Sequence, residues 1–274
     1  MIVRILLLLT ISATLFSAPF PSHAEASPDA ETMAAALRQL LKEDPDIVLE
    51  ILRAHRVEVF DIVREGLEDK KAQAEAQRIA EQIETPLVPA IDPSRPVLGP
   101  PEAPLVVVVY SDFLCHFCAE VSHTLGELMT RHPKKIRFYY KHNPLSDSSR
   151  EAARYFEALG RQNPDLAWGF YTEAYRYQRQ IMEQGSAALD EIAVRIGADM
   201  TRLARDLKDP AIDALIAADE AEAEEFGFEG APAVVIDGVG LSGARTLEDY
   251  EAIAAQIENR RHEARNPASG TSRP

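Results

Sequence analysis

Leu105-Val106-Val107-Val108-Val109-Tyr110-Ser111-Asp112-Phe113-Leu114-Cys115-His116-Phe117-Cys118 is the stretch that decides how this chain folds. Its first six residues form a continuous apolar run rich in β-branched side chains, which predicts a strand covered on both faces. Ala119 to Thr130 reads as a helix. The two cysteines of the chain thus stand three apart at a strand-to-helix junction. That placement suits thiol–disulfide exchange. The first thiol lies at a helix N-terminus, where unpaired N–H groups and the helix dipole stabilise a thiolate. The second, one turn in, is placed to resolve a mixed disulfide.

Around this junction the chain divides by composition. Downstream, Lys135 to Tyr140 alternates and predicts a second strand. From Asp147 to Phe226 strand signal is missing and amphipathic helical patterns follow one another: Ser149 to Leu159, a helix opened by Asp165, Leu189 to Ile196, Met200 to Leu207, and Pro210 to Glu225. Ala233 to Asp237 is a strand, Gly238 to Gly240 a turn, Leu241 the start of a return strand, and Thr246 to Asn259 a closing helix. Residues 263–274, rich in Arg, Gly, Ser and Pro, predict a disordered tail.

Upstream, residues 85–104 carry seven prolines, which forbid helix and predict a stiff, extended linker. Residues 25–84 read as helical, with a break at Asp44-Pro45. Val48, Leu52, Val59 and Val63 lie near one face, widened by Ile47, Ile51, Phe60 and Leu67. Further on, Ala72, Ala76, Ile79 and Ile83 keep a thin stripe, too narrow for an isolated helix. It reads either as a helix packed on its own domain or as a self-association stalk, so residues 30–84 are a candidate homo-oligomer surface.

Residues 1–24 read as a secretory signal peptide: Arg4, an apolar Ile5 to Ala18 too short for a comfortable membrane span, and Ser22-His23-Ala24 before a cleavage after Ala24. The formal charge is −15, and −16 once Arg4 is removed with the leader. Such acidity disfavours nucleic acid and anionic membrane as partners. In an oxidising compartment a lone cysteine pair is a disulfide or a redox centre. Zinc is disfavoured because no second pair completes a tetrahedral set, so no metal or other cofactor is expected.

The order of elements resembles the thioredoxin fold with a helical insertion, giving an expected α/β domain over 105–262 with the insertion at about 147–226. Tyr110 to Cys118 resembles the active-site segment of the DsbA family. His142-Asn143-Pro144-Leu145 resembles that family's second strand and its exit, Trp168-Gly169-Phe170-Tyr171 its aromatic inserted helix, and Gly230-Ala231-Pro232-Ala233-Val234 its cis-proline loop. The helical N-terminus and proline-rich linker resemble the ScsC-like branch. Two departures stand out. Val109 occupies the position where many members have an acidic residue, and Ala231, before the proline, offers no hydroxyl to a sulfur.

The resemblance implies an exported protein disulfide oxidoreductase of the periplasm, with Cys115 the nucleophile and Cys118 its buried partner. Pro232 is expected to be cis, presenting Ala231 to a bound peptide. His116 reads either as a donor to the Cys115 sulfur or as an exposed polar residue on the helix rim, and Phe117 either as apolar surface for substrate or as packed inward. Partners would be reduced or misfolded secreted proteins and a membrane protein that reoxidises or reduces the pair. The function reads as dithiol oxidase, with an oligomeric isomerase or reductase as the alternative and a redox-inert binding module as a third reading. Trp168, Tyr171, Tyr175 and Tyr177 read as core or as a substrate groove. Lys141, Asp147, His123 and His132 read as surface residues, and Asp219 to Glu225 as a solvated helix face.

Overall fold

The computed structural model describes residues 30–265; the leader, its cleavage site and residues 266–274 lie outside that range. The chain divides into two compact units, one ending at Asp69 and the other beginning at Lys70. The first holds α1 (Ala30–Glu43), α2 (Asp46–Ala54) and the opening of α3 (Arg56–Glu84). No residue of these three helices is buried. Apolar side chains recur on them at helical spacing: Met33, Leu37, Leu40 and Leu41 on α1, then Phe60, Val63 and Leu67 on α3, all exposed.

In the second unit, β1 (Val97–Leu98), β2 (Leu105–Ser111), β3 (Ile136–His142), β4 (Ala233–Ile236) and β5 (Val239–Ser242) form one sheet in the order β1-β3-β2-β4-β5. β2 and β3 are parallel and joined by α4 (His116–Arg131); the other pairs are antiparallel. Between β3 and β4 come α5 (Asp147–Gln162), α6 (Pro164–Arg176), α7 (Gln178–Gln184), α8 (Ser186–Arg195), α9 (Met200–Asp206) and α10 (Pro210–Glu225); α11 (Leu247–Arg265) follows the sheet. The expected α/β layout with a helical insertion is therefore present. Helix α11 runs through Arg265, so the start of the expected tail is helical.

Strand β2 is covered on both faces, as its composition demands. Leu105, Val107 and Val109 enter the large core with α4, α5, α6 and α11, while Val108 and Tyr110 enter a smaller one with Ala223, Phe228 and Val235. This side-to-side alternation is the period of a strand.

The proline-rich stretch is lashed to the sheet rather than spanning freely. The Leu87 amide donates to Gly238 O at 2.9 Å and the Ala90 amide to Glu222 Oε1 at 2.6 Å. Gly238, at φ +92°, lies so close to Pro86 that a Cβ there would collide with it. Val97–Leu98 add an edge strand to β3, and Arg95 is buried. Prolines remove donors, and the residues between them donate instead. The preceding stripe divides in the same way: Ile79 and Ile83 join the core while Ala72 and Ala76 stay exposed. Arg78 donates to Gly240 O and Gln82 accepts from the Gly240 amide, which ties this end of α3 to β5.

Candidate active site

Cys115 is the N-cap of α4, in extended conformation, and is half-buried; Cys118 is completely buried. Both are free thiols. The Cys115 thiol donates to Ala231 O at 3.7 Å, which brings the CxxC helix beside a peptide far along the chain. The Ala231–Pro232 bond is cis, as expected.

The loop before Cys115 is held from two sides. Asp112, itself buried, accepts from the Leu114 amide at 2.5 Å and from the Leu145 amide at 2.7 Å. Its carboxylate is a brace between two loops. Gln178, at the start of α7, donates to Phe113 O at 2.8 Å and to Cys115 O at 3.0 Å. The sequence reading passed over Gln178, because α7 carries no apolar stripe to announce it.

Burial pushes the Cys118 thiol well above its ordinary range, opposed by hydrogen bonds from Ser111 and from the Asp112 amide, the latter at 3.4 Å. Ser111 Oγ lies 2.8 Å from Tyr175 Oη, and Tyr175 Oη lies 3.1 Å from Tyr140 Oη. Of the four inserted aromatics, Trp168, Tyr171, Tyr175 and Tyr177 all pack partly buried against the core. The first three also line an open groove of about 900 Å³ beside α4.

His116 takes the exposed position on the helix rim rather than a place against the Cys115 sulfur. Its side chain is 80% exposed and its Nε2 faces Glu120 Oε1 at 3.2 Å, one turn along the helix. Phe117 is exposed, at 57%, and Leu145 nearby in the exit loop of β3 is exposed as well. His123 is exposed, as expected, while His132 is half-buried beside Glu251.

Against the sheet lies a charge cluster, two parts of which, Lys141 and the acids of α10, read as surface from sequence. Lys141 is buried and pairs with Glu222 and Asp219. Asp219 is buried on α10, bonded to Arg95 at 2.8 Å and to the His142 amide at 2.9 Å. Arg95 also reaches Glu157 at 2.7 Å, and Glu157 meets His142 Nε2 at 2.7 Å. Burial alone would raise the Glu157 carboxyl, but the His142 hydrogen bond and the Arg95 charge outweigh it and hold it at about 2. The readable signal was weak: acids three apart on α10 opposite a lysine in a strand.

Comparison with known proteins agrees with this geometry. The family model described as Thioredoxin matches residues 92–256. The chain belongs to the thioredoxin family. A thioredoxin-like oxidoreductase from Silicibacter pomeroyi is 26% identical, with TM-score 0.53, covering 61% of this chain and 94% of that one. The catalytic domain of ScsC from Proteus mirabilis is 19% identical, with TM-score 0.53, covering 66% and 97%. The fold is thus that of the DsbA-like thiol–disulfide oxidoreductases. Among curated relatives, the Na(+)/H(+) antiporter NhaA of Herminiimonas arsenicoxydans is 28% identical over 67% of this chain and 28% of its own length. A probable disulfide bond formation protein D of Bacillus anthracis is 29% identical, over 52% of this chain and 69% of that protein. The chain spans about a quarter of the length of the antiporters it matches. Among the described residues, no helix is long and apolar enough to cross a membrane.

Proposed function

We propose that this thioredoxin-family chain is an exported protein disulfide oxidoreductase acting chiefly as a dithiol oxidase in the periplasm. The observation that carries the reading is the half-exposed Cys115 capping α4 beside the Ala231 carbonyl, with Cys118 enclosed one turn below. A substrate thiolate attacks Cys115 in the disulfide form, and Cys118 leaves; a second substrate thiolate then resolves the mixed disulfide. Cys115 leads because it is the accessible sulfur. Backbone at Ala231, beside Pro232, offers strand-type hydrogen bonding to the substrate chain, and exposed Phe117 offers it apolar contact. Tuning by His116 is not part of this reading, because its ring is turned to Glu120. Electrons pass between sulfurs, so the chemistry calls for no metal or organic cofactor. A membrane partner would reoxidise the pair, and reduced secreted proteins would be the substrates. The likeness to the Bacillus protein, a probable disulfide bond formation protein, favours the oxidative direction.

Equilibration with glutathione tests this. A potential above about −200 mV is expected, and a value near thioredoxin's, about −270 mV, would overturn the oxidase assignment. Cys115→Ser is expected to abolish exchange altogether.

One observation favours a second reading, the oligomeric isomerase or reductase. The exposed apolar residues of α1–α3 form stripes suited to a second copy of the chain. Light scattering on the mature protein separates the two readings: a strict monomer removes the isomerase.

A further inference from the structure

Cys118 poses a proton problem. It is completely enclosed, yet closing the disulfide requires its thiolate. The groups facing it are Cys115 on its own helix, Asp112 on the preceding loop, Ser111 at the end of β2, Tyr140 on β3, and Tyr171 and Tyr175 on α6. The one carboxylate among them, Asp112, is occupied by two backbone amides. The other buried acids, Glu157 and Asp219, and the half-buried Glu222 are engaged by Arg95, Lys141 and His142. Val109 itself offers no acceptor, and the Tyr140 hydroxyl opposite it lies 3.1 Å from Tyr175 Oη.

What touches the sulfur is a hydroxyl that touches another. Ser111 hydrogen-bonds Cys118, and its Oγ lies 2.8 Å from Tyr175 Oη, on a residue that lines the open groove beside α4. We propose that Ser111 and Tyr175 are positioning residues that relay the proton of Cys118 to and from that groove.

The relay rests on the exchange reading above and deepens it. When the disulfide closes, the Cys118 proton passes to Ser111 Oγ, which gives its own to Tyr175 Oη, which gives its own to solvent in the groove. The Cys118 thiolate then attacks Cys115 Sγ in the mixed disulfide. The Cys115–Cys118 bond forms, the Cys115–partner bond breaks, and the electron pair leaves on the partner's sulfur. Both hydroxyls end neutral, and the reverse sequence protonates Cys118 when the disulfide opens. Burial holds the Tyr175 hydroxyl far above its ordinary range, so it passes protons without ionising itself.

The test mixes the reduced full chain with dithiobis-nitrobenzoate in a stopped-flow instrument. The first burst of coloured thiolate reports attack by Cys115, and the second reports resolution by Cys118. Tyr175→Phe is expected to slow the second burst relative to the first at least about tenfold, the worth of one hydrogen bond to a charged group. It should also move the pH profile of the second burst upward. Ser111→Ala should do the same, and the double variant should be no slower than the slower single variant, since one broken link interrupts the chain. An unchanged ratio and pH profile in both single variants overturns the relay, as does parallel slowing of both bursts. Absence of the first burst in the unmodified protein overturns the exchange reading itself, and the relay with it.

Discussion

The helices before Lys70 and the unit after it use the same apolar vocabulary to opposite ends. Leu37, Leu40, Phe60 and Leu67 stand exposed, whereas Phe156, Leu159 and Phe170 are fully buried around the sheet. Helix formation needs only a stripe; burial needs something to lie against it. The difference teaches where a fold is complete. In the second unit every strand finds partners and both faces of β2 are covered, while the first leaves its stripes exposed.

Substitution at the heart of the second unit should show the largest effect. Phe156→Ala removes a ring lying between those of Phe113, Tyr140 and Trp168, and is expected to cost about 3–5 kcal/mol in urea unfolding. A cost below about 1 kcal/mol would blur the contrast between the units. Next comes the buried charge cluster. Glu157 titrates from about 2 in the folded chain against an ordinary 4.5. Its stabilisation is therefore complete above pH 4.5 and lost as pH falls through 2, worth about 3 kcal/mol. Unfolding measured across this window should show that acid limb, and Glu157→Gln should flatten it. The smallest effect on stability belongs to the first unit. Phe60→Ser at an exposed position should move the unfolding free energy of the second unit by less than about 0.5 kcal/mol. In an associating chain the same change should lower the mass seen by light scattering; an unchanged oligomer would place the contact elsewhere.

The chemistry was legible from sequence because it rests on local signals. A β-branched run followed by a CxxC and an amphipathic helix fixed the site, and the Gly-x-Pro before another β-branched run fixed its opposite wall. What escaped rests on distant partners. Lys141 reads as an exposed strand end until Asp219 and Glu222 arrive from α10. Gln178 has no pattern around it, and its role appears only when α7 is laid against the Cys115 loop. The helix α6 begins one residue before its reading, because Asn163 caps it and Pro164 takes the first position. Which of its two readings His116 takes is set locally: Glu120, one turn along the helix, holds its ring on the rim.

The seat of Arg95 bears on how this protein can be cut. A fragment begun at Leu105, where the apolar run starts, would strip away the guanidinium shared by Glu157 and Asp219 and leave two enclosed carboxylates without their common counter-ion. It would also bare the flank of β3 that Val97 and Leu98 cover. A self-standing catalytic piece therefore begins no later than Arg95.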